Sequence, residues 1–218
     1  YNPAAVFYDM PLALLAIGSA LDPEQYEVCI VDARVESDVA KKVLESARDA
    51  VCMGVTVLTG YPLRDAMNIS RLVKEAFPDL PIVWGGWHPS LFGTEILEDE
   101  KSVDITVQGQ GEDTFRELVE HFSIGAPVVN VPGICYRDAG GNAVKNPARA
   151  LIDMNFLPKV DYGLIDAEKY FKAKKKRQFD YISSTGCRFR CTFCADPAVF
   201  NRKWTAIEPA RMGEEFSY

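Results

Sequence analysis

Three thiols fall within eight residues, Cys187-Arg188-Phe189-Arg190-Cys191-Thr192-Phe193-Cys194, in a chain of 218 residues that holds six cysteines in all. The spacing is Cys-x-x-x-Cys-x-x-Cys. A loop this tight aims three soft sulfur donors at one centre, and such donors suit an iron–sulfur cluster or zinc. A four-cysteine cage closes a metal site, whereas three thiolates on an iron–sulfur cube leave one iron open for chemistry. A structural zinc knot is the alternative and needs a fourth ligand. Zinc cysteines usually pair as Cys-x-x-Cys repeats. No second pair is present, and His88 and His121 lie far away in sequence.

The elements around the loop sharpen the reading. Residues 181–184 have the composition of a short strand, and Gly186 permits a sharp exit from it. With Phe193 just before the third cysteine, the stretch resembles the signature of the radical S-adenosylmethionine (SAM) superfamily. The resemblance implies that Cys187, Cys191 and Cys194 hold a 4Fe–4S cluster and that the amino and carboxylate groups of SAM chelate its fourth iron. It implies cleavage of SAM to methionine and a 5′-deoxyadenosyl radical, with Phe193 beside the adenine. An electron donor such as a flavodoxin or ferredoxin is then an implied partner.

The preceding residues alternate between strand and helix patterns. Strands are predicted at residues 26–31, 51–57, 81–84 and 103–107. Helices are predicted at residues 11–21, 38–47, 62–77 and 112–122, with a short one near 94–97. Residues 1–8 read as the exit from a strand. This alternation predicts an α/β fold with a doubly wound parallel sheet, whose right-handed crossovers gather the strand-to-helix loops at one carboxyl edge. Ligands bind at such an edge. Residues 134–137 and 143–145 read as a hairpin around Gly140-Gly141-Asn142. Residues 146–162 read as a linker, and the basic run at 172–177 as a solvated surface.

Glycines sit on the predicted edge, at Gly85-Gly86 and at Gly109-Gln110-Gly111, where a backbone can approach a ligand closely. The arrangement resembles a cobalamin-binding domain of the flavodoxin-like type, whose pattern is Asp-x-His-x-x-Gly, then Ser-x-Leu, then Gly-Gly. Thr56-Val57-Leu58 stands for Ser-x-Leu and Gly85-Gly86 for the glycine pair. At the family's upstream spacing Asp9 matches the aspartate, while Pro11 holds the histidine place and Leu14 the glycine place. Proline offers no side-chain donor, so no imidazole is expected on cobalt from this loop, and Leu12, Leu14 and Leu15 leave that side apolar. The resemblance implies cobalamin contacts at Asp9, Pro11, Thr56, Val57, Leu58, Gly85, Gly86, His88, Gly109, Gly111 and Glu112. Segments 84–89 and 109–112 resemble the cobalamin-dependent radical SAM branch, which commonly has Glu where Gln110 stands. That branch includes methyltransferases and an anaerobic oxidative cyclase, and residues 161–184 are most similar to the cyclase-like members.

The expected organisation is therefore a cobalamin-binding domain at 1–124, a hairpin and linker at 125–177, and the first β/α segment of an incomplete radical SAM barrel at 178–218. The chain reads as part of a longer enzyme that acts on a small molecule by radical methyl transfer or oxidative cyclisation. This span alone is expected not to cleave SAM efficiently. A methylthiotransferase-like RNA-modifying enzyme is a further alternative, and it requires a second cluster on N-terminal cysteines. Cys29, Cys52 and Cys135 read instead as inert residues, the first two in the core of strands. The formal charge of −7 argues against a general nucleic-acid binder. No run of eighteen apolar residues predicts a membrane span. Six cysteines without a disulfide framework suggest a reducing, cytoplasmic compartment.

Overall fold

The computed structural model describes residues 7–217. Most of the strand exit expected at residues 1–8 lies outside them. Two helices come first, α1 (Leu12–Ser19) and α2 (Val39–Ala47). A strand–helix series comes next: β1 (Met53–Thr56), α3 (Tyr61–Ala76), β2 (Ile82–Gly85), α4 (Trp87–Leu91), α5 (Gly93–Asp99), β3 (Ile105–Val107) and α6 (Glu112–Ser123). The hairpin forms β4 (Ile134–Arg137) and β5 (Ala143–Lys145). The sheet order is β1-β2-β3-β4-β5, with β1, β2 and β3 parallel and the last two pairings antiparallel. The hairpin thus extends the sheet, which is mixed rather than wholly parallel.

Alternation along β2 builds both core layers. Ile82 and Trp84 face the α3 side with Val73, Leu97 and Val57, while Val83 faces the α6 side with Val107, Leu118 and Ile134. Trp84 is buried whole because its indole N–H donates to Ser70 Oγ at 2.9 Å. Helices on both faces of the sheet are what a doubly wound fold requires.

Two sequence expectations need correction. Residues 26–31 form no ladder among the described residues. Their side chains alternate instead: Val28 and Ile30 lie over Gly18 of α1, and Cys29 points outward. Cys29 is therefore exposed, 3.2 Å from Ser46 Oγ, and is no core residue. Cys52 is half-buried, and burial pushes its thiol up to about 12; Cys135 is fully buried. β1 alternates half-buried with exposed positions, because no described strand flanks its outer side.

The remainder comprises α7 (Ala167–Lys174), β6 (Ser184–Gly186), α8 (Asp196–Val199), β7 (Trp204–Ala206) and α9 (Pro209–Glu215). β6 and β7 pair antiparallel, with Gly186 opposite Trp204. The linker is stitched to both sides. Gln110 accepts from Ile152 N at 2.8 Å and donates to Ile152 O at 3.3 Å, and Arg149 bonds Thr114 and pairs with Glu117. A little further on, Met154 N donates to Thr205 Oγ1 at 3.2 Å and Asn155 donates to Ala206 O at 3.0 Å. α7 returns to the first domain, where Tyr170 and Phe171 cover Met10 and Leu15. Tyr170 donates to Asp32 at 2.8 Å, and Met10 N donates to Asp180 at 2.7 Å.

Candidate functional site

The carboxyl edge of the sheet is built from the loops that leave β1, β2 and β3. Val57 N donates to Gly85 O at 2.8 Å, and His88 N donates to Val57 O at 3.1 Å, so the first two loops are laced together. Gly109 N donates to Ser90 Oγ at 3.0 Å, which ties in the third. The adjacent glycines differ in what surrounds them. Gly86 has φ 96° and ψ −164°, a region open essentially to glycine alone. A Cβ there would stand 3.0 Å from Thr56 Oγ1 and 3.1 Å from the Val57 backbone, so the close approach at Gly86 is to the neighbouring strand. A Cβ on Gly85 would meet only Val107 Cβ, at 4.0 Å, and one on Gly109 only Val199 O, at 3.7 Å. Gly85 thus leaves space, a cradle, along the edge, Gly109 lies under the Val199 carbonyl, and Gly111 faces Ile17 and Val107.

The other expected contacts divide between the cradle, the core and the first helix. Thr56 and Leu58 are exposed beside the cradle, and Val57 is core. The His88 Nδ1 lies 3.0 Å from Thr59 Oγ1, and the ring tilts against Phe92. Burial lowers the imidazole's pKa, so it is neutral at pH 7. Glu112 opens α6, and burial raises its carboxyl above the ordinary value. Asp9 is exposed and Pro11 is buried at the start of α1. Leu12 and Leu15 turn toward the α7 side rather than lining the edge.

The cysteine loop leaves β6 through Gly186 at φ 78°. A Cβ there would collide with the Lys203 carbonyl, so only glycine allows β7 to pair this closely. Cys187, Cys191 and Cys194 are all free thiols; Cys191 is exposed, as is Phe193, at 92%. Among the described residues no three His, Cys, Asp or Glu side chains converge on a metal position. The donor set itself fits a cluster: three uncommitted thiols on one short loop, with Cys194 N turned onto Cys191 O at 3.1 Å.

The segment after Cys194 brings the two halves together. α8 packs on α4, Phe200 meets Trp87 edge-on with ring centroids 5.9 Å apart, and Val199 lies over Gly109. The cysteine loop thus runs directly into the carboxyl edge. Sequence reasoning missed this contact and the Gln110 clamp on Ile152. Gln110 in place of the Glu that the resemblance leads one to expect was the available signal, because an amide both donates and accepts whereas an ionised carboxylate only accepts.

Comparison with known proteins identifies the family and the fold. Residues 5–119 match the B12 binding domain family. An uncharacterized methyltransferase of Pyrococcus horikoshii is 30% identical over 95% of this chain and 45% of its own length. The anaerobic magnesium-protoporphyrin IX monomethyl ester cyclase of a Synechocystis strain is 26% identical over 94% of this chain and 41% of its own. A radical SAM methyltransferase of Kitasatospora setae, solved with cobalamin and a [4Fe-4S] cluster bound, superposes with a TM-score of 0.75 at 22% identity. That match covers 98% of this chain and 43% of the other, so the chain spans less than half the length of each of these relatives.

Proposed function

The chain belongs to the B12-binding domain family, its relatives include radical SAM methyltransferases and anaerobic cyclases, and from that premise we propose that it brings cobalamin and a SAM-cleaving 4Fe–4S cluster to one shared face. The observation that carries the proposal is the docking of α8, immediately after Cys194, onto α4 and Gly109. The edge at Gly85, with Thr56, Leu58 and His88 beside it, would hold cobalamin. Pro11, buried and without a side-chain donor, would offer the group no ligand from this loop. Cys187, Cys191 and Cys194 hold the cluster, and Phe193 is free to lie against the adenine of SAM. When bound, these groups supply a 5′-deoxyadenosyl radical and a methyl-carrying or redox-active cobalt. The Trp87–Phe200 contact and the Gln110 clamp fix the spacing between the two stations, the geometric condition for reaction between bound groups. The enzyme as a whole carries out radical methyl transfer or oxidative cyclisation on a small molecule.

Anaerobic reconstitution with iron, sulfide and cobalamin tests this. About four irons per chain are expected. Cys191→Ala should lose the iron and keep cobalamin, whereas Cys52→Ala should keep both. Full iron content in Cys191→Ala would overturn the cluster assignment.

A further inference from the structure

The cysteine loop is held at both ends, and both holds converge on Gly109 and Gln110. Its exit end runs into α8, where Val199 lies over Gly109 and the following Phe200 meets Trp87. Its entry end is β6, which pairs with β7 as far as Gly186. Ile207 N donates to Ser183 O at 2.8 Å and lengthens that pairing by one bond. β7 in turn is tied back to Gln110 through the linker.

Residues 152–155 form a short strap with a side-chain amide at each end. At one end Gln110 accepts from Ile152 N at 2.8 Å and donates to Ile152 O at 3.3 Å. At the other, Asn155 donates to Ala206 O at 3.0 Å and accepts from Glu208 N at 2.8 Å. Each amide stands in for a neighbouring strand, satisfying one backbone donor and one backbone acceptor. Three residues separate the grips, so even a fully extended chain spans at most about 11 Å between them. The strap is locked along its length. Met154 N donates to Thr205 Oγ1 at 3.2 Å, and Arg211 donates to Met154 O at 2.8 Å. The Asp153 carboxylate accepts from Asn155 N at 3.0 Å, from Asn155 Nδ2 at 2.7 Å and from Thr205 Oγ1 at 3.1 Å. With Nδ2 directed at Asp153 and Ala206 O, the amide oxygen is left for Glu208 N. Arg211 is itself held by Glu215, which also accepts from the Tyr181 hydroxyl at 2.6 Å, just ahead of β6.

We propose that Gln110 and Asn155 are positioning residues that, through this strap, hold the β6–β7 hairpin and with it Cys187 at a fixed offset from the carboxyl edge of the sheet. This deepens the proposed function and rests on it for what the two stations carry. Both amides act through the backbone they grip. A carboxylate at either place would leave a carbonyl without its donor, and at position 155 it would set a second negative charge against Asp153. Loosening either grip frees the entry end of the cysteine loop while α8 keeps the exit end docked, so the loop swings without detaching.

Two measurements on the full-length protein test this. Amide hydrogen exchange without cofactors asks whether the strap is one mechanical unit. Asn155→Ala should speed exchange at least tenfold at Glu208 and also at Ile152, and Gln110→Ala should do so at Ile152 and also at Glu208. Asn142→Ala, which removes an amide from the hairpin turn, should change neither. With cofactors bound, dipolar spectroscopy between cobalt(II) and the reduced cluster asks whether the strap positions the loop. The parent should give a single narrow distance. Asn155→Ala should at least double its width with iron and cobalamin content unchanged, and Asn155→Asp should be as broad, because the donor to Ala206 O is lost in both. Exchange that rises only at the substituted grip, or a parent-like width in Asn155→Ala, overturns the proposal. Reciprocal exchange in a protein that takes up no iron refutes the cluster reading and leaves the strap standing.

Discussion

Gly85 and Gly86 are chemically identical neighbours that the structure assigns opposite roles, and alanine at each should separate them. At Gly86 the backbone lies where only glycine is at ease, which costs an alanine on the order of 1–3 kcal/mol. Its Cβ would also press on Thr56 Oγ1 and the Val57 backbone at 3.0–3.1 Å, and relieving such overpacking costs about 1–3 kcal/mol more. With urea m-values of about 1–3 kcal/mol per molar, Gly86→Ala should lower the unfolding midpoint by roughly 1 M or more. Gly85→Ala has only Val107 to meet, at 4.0 Å, and should be neutral or stabilise by about 0.5–1 kcal/mol, the usual gain over glycine in a strand. The same methyl fills the cradle. Its dissociation constant for cobalamin, read from the visible absorption, should rise at least tenfold, about 1.4 kcal/mol. A Gly86→Ala protein with the parent's midpoint would refute the steric reasoning. A Gly85→Ala protein with the parent's cobalamin affinity would refute the cradle.

Further outcomes concern the linker and the titrating groups. Gln110→Glu keeps the acceptor for Ile152 N but loses the donor to Ile152 O, so stability should fall by about 1 kcal/mol and proteolysis within residues 146–153 should quicken. Burial raises the folded pKa of Glu112, so its contribution is most favourable at low pH and is lost as pH rises through that window. Glu112→Gln should flatten this part of the pH–stability profile measured by urea unfolding. Asp32 runs the other way. Burial pushes its pKa up, but hydrogen bonds and charge from Arg34, with the Tyr170 hydroxyl, bring it below the ordinary value. Stability from Asp32 should therefore be present above the unfolded pKa and lost as pH falls, and Asp32→Asn should remove that acid sensitivity.

The elements whose pattern is local were legible in the sequence. The helices expected at 62–77 and 112–122 form at Tyr61–Ala76 and Glu112–Ser123, and Gly140-Gly141 marked the hairpin. What escaped depends on distant partners. The hairpin's turn chemistry says nothing of its pairing with β3, because register with Ile105, Thr106 and Val107 is set across a gap of many residues. Cys29 looked buried among apolar neighbours, yet the alternation that turns Val28 and Ile30 inward turns Cys29 out. The three cysteines and the edge glycines were visible from spacing, whereas the Trp87–Phe200 contact that joins their loops was not, since each residue alone reads as packing. That Pro11 lacks a side-chain donor follows from its type alone. Its burial, and the turning of Leu12 and Leu15 toward α7, came only with the fold.

Paramagnetic resonance of the cobalt(II) form of cobalamin bound to the full-length protein tests the central claim most directly. Cobalamin should bind one per chain, with its own base displaced, to a chain that has proline at the family pattern's histidine place. The expected spectrum is that of five-coordinate cobalt(II) without nitrogen superhyperfine splitting. Clear nitrogen splitting that disappears in His88→Ala would put the imidazole of the β2 loop on cobalt and contradict the assignment, and so would a failure to bind cobalamin at all.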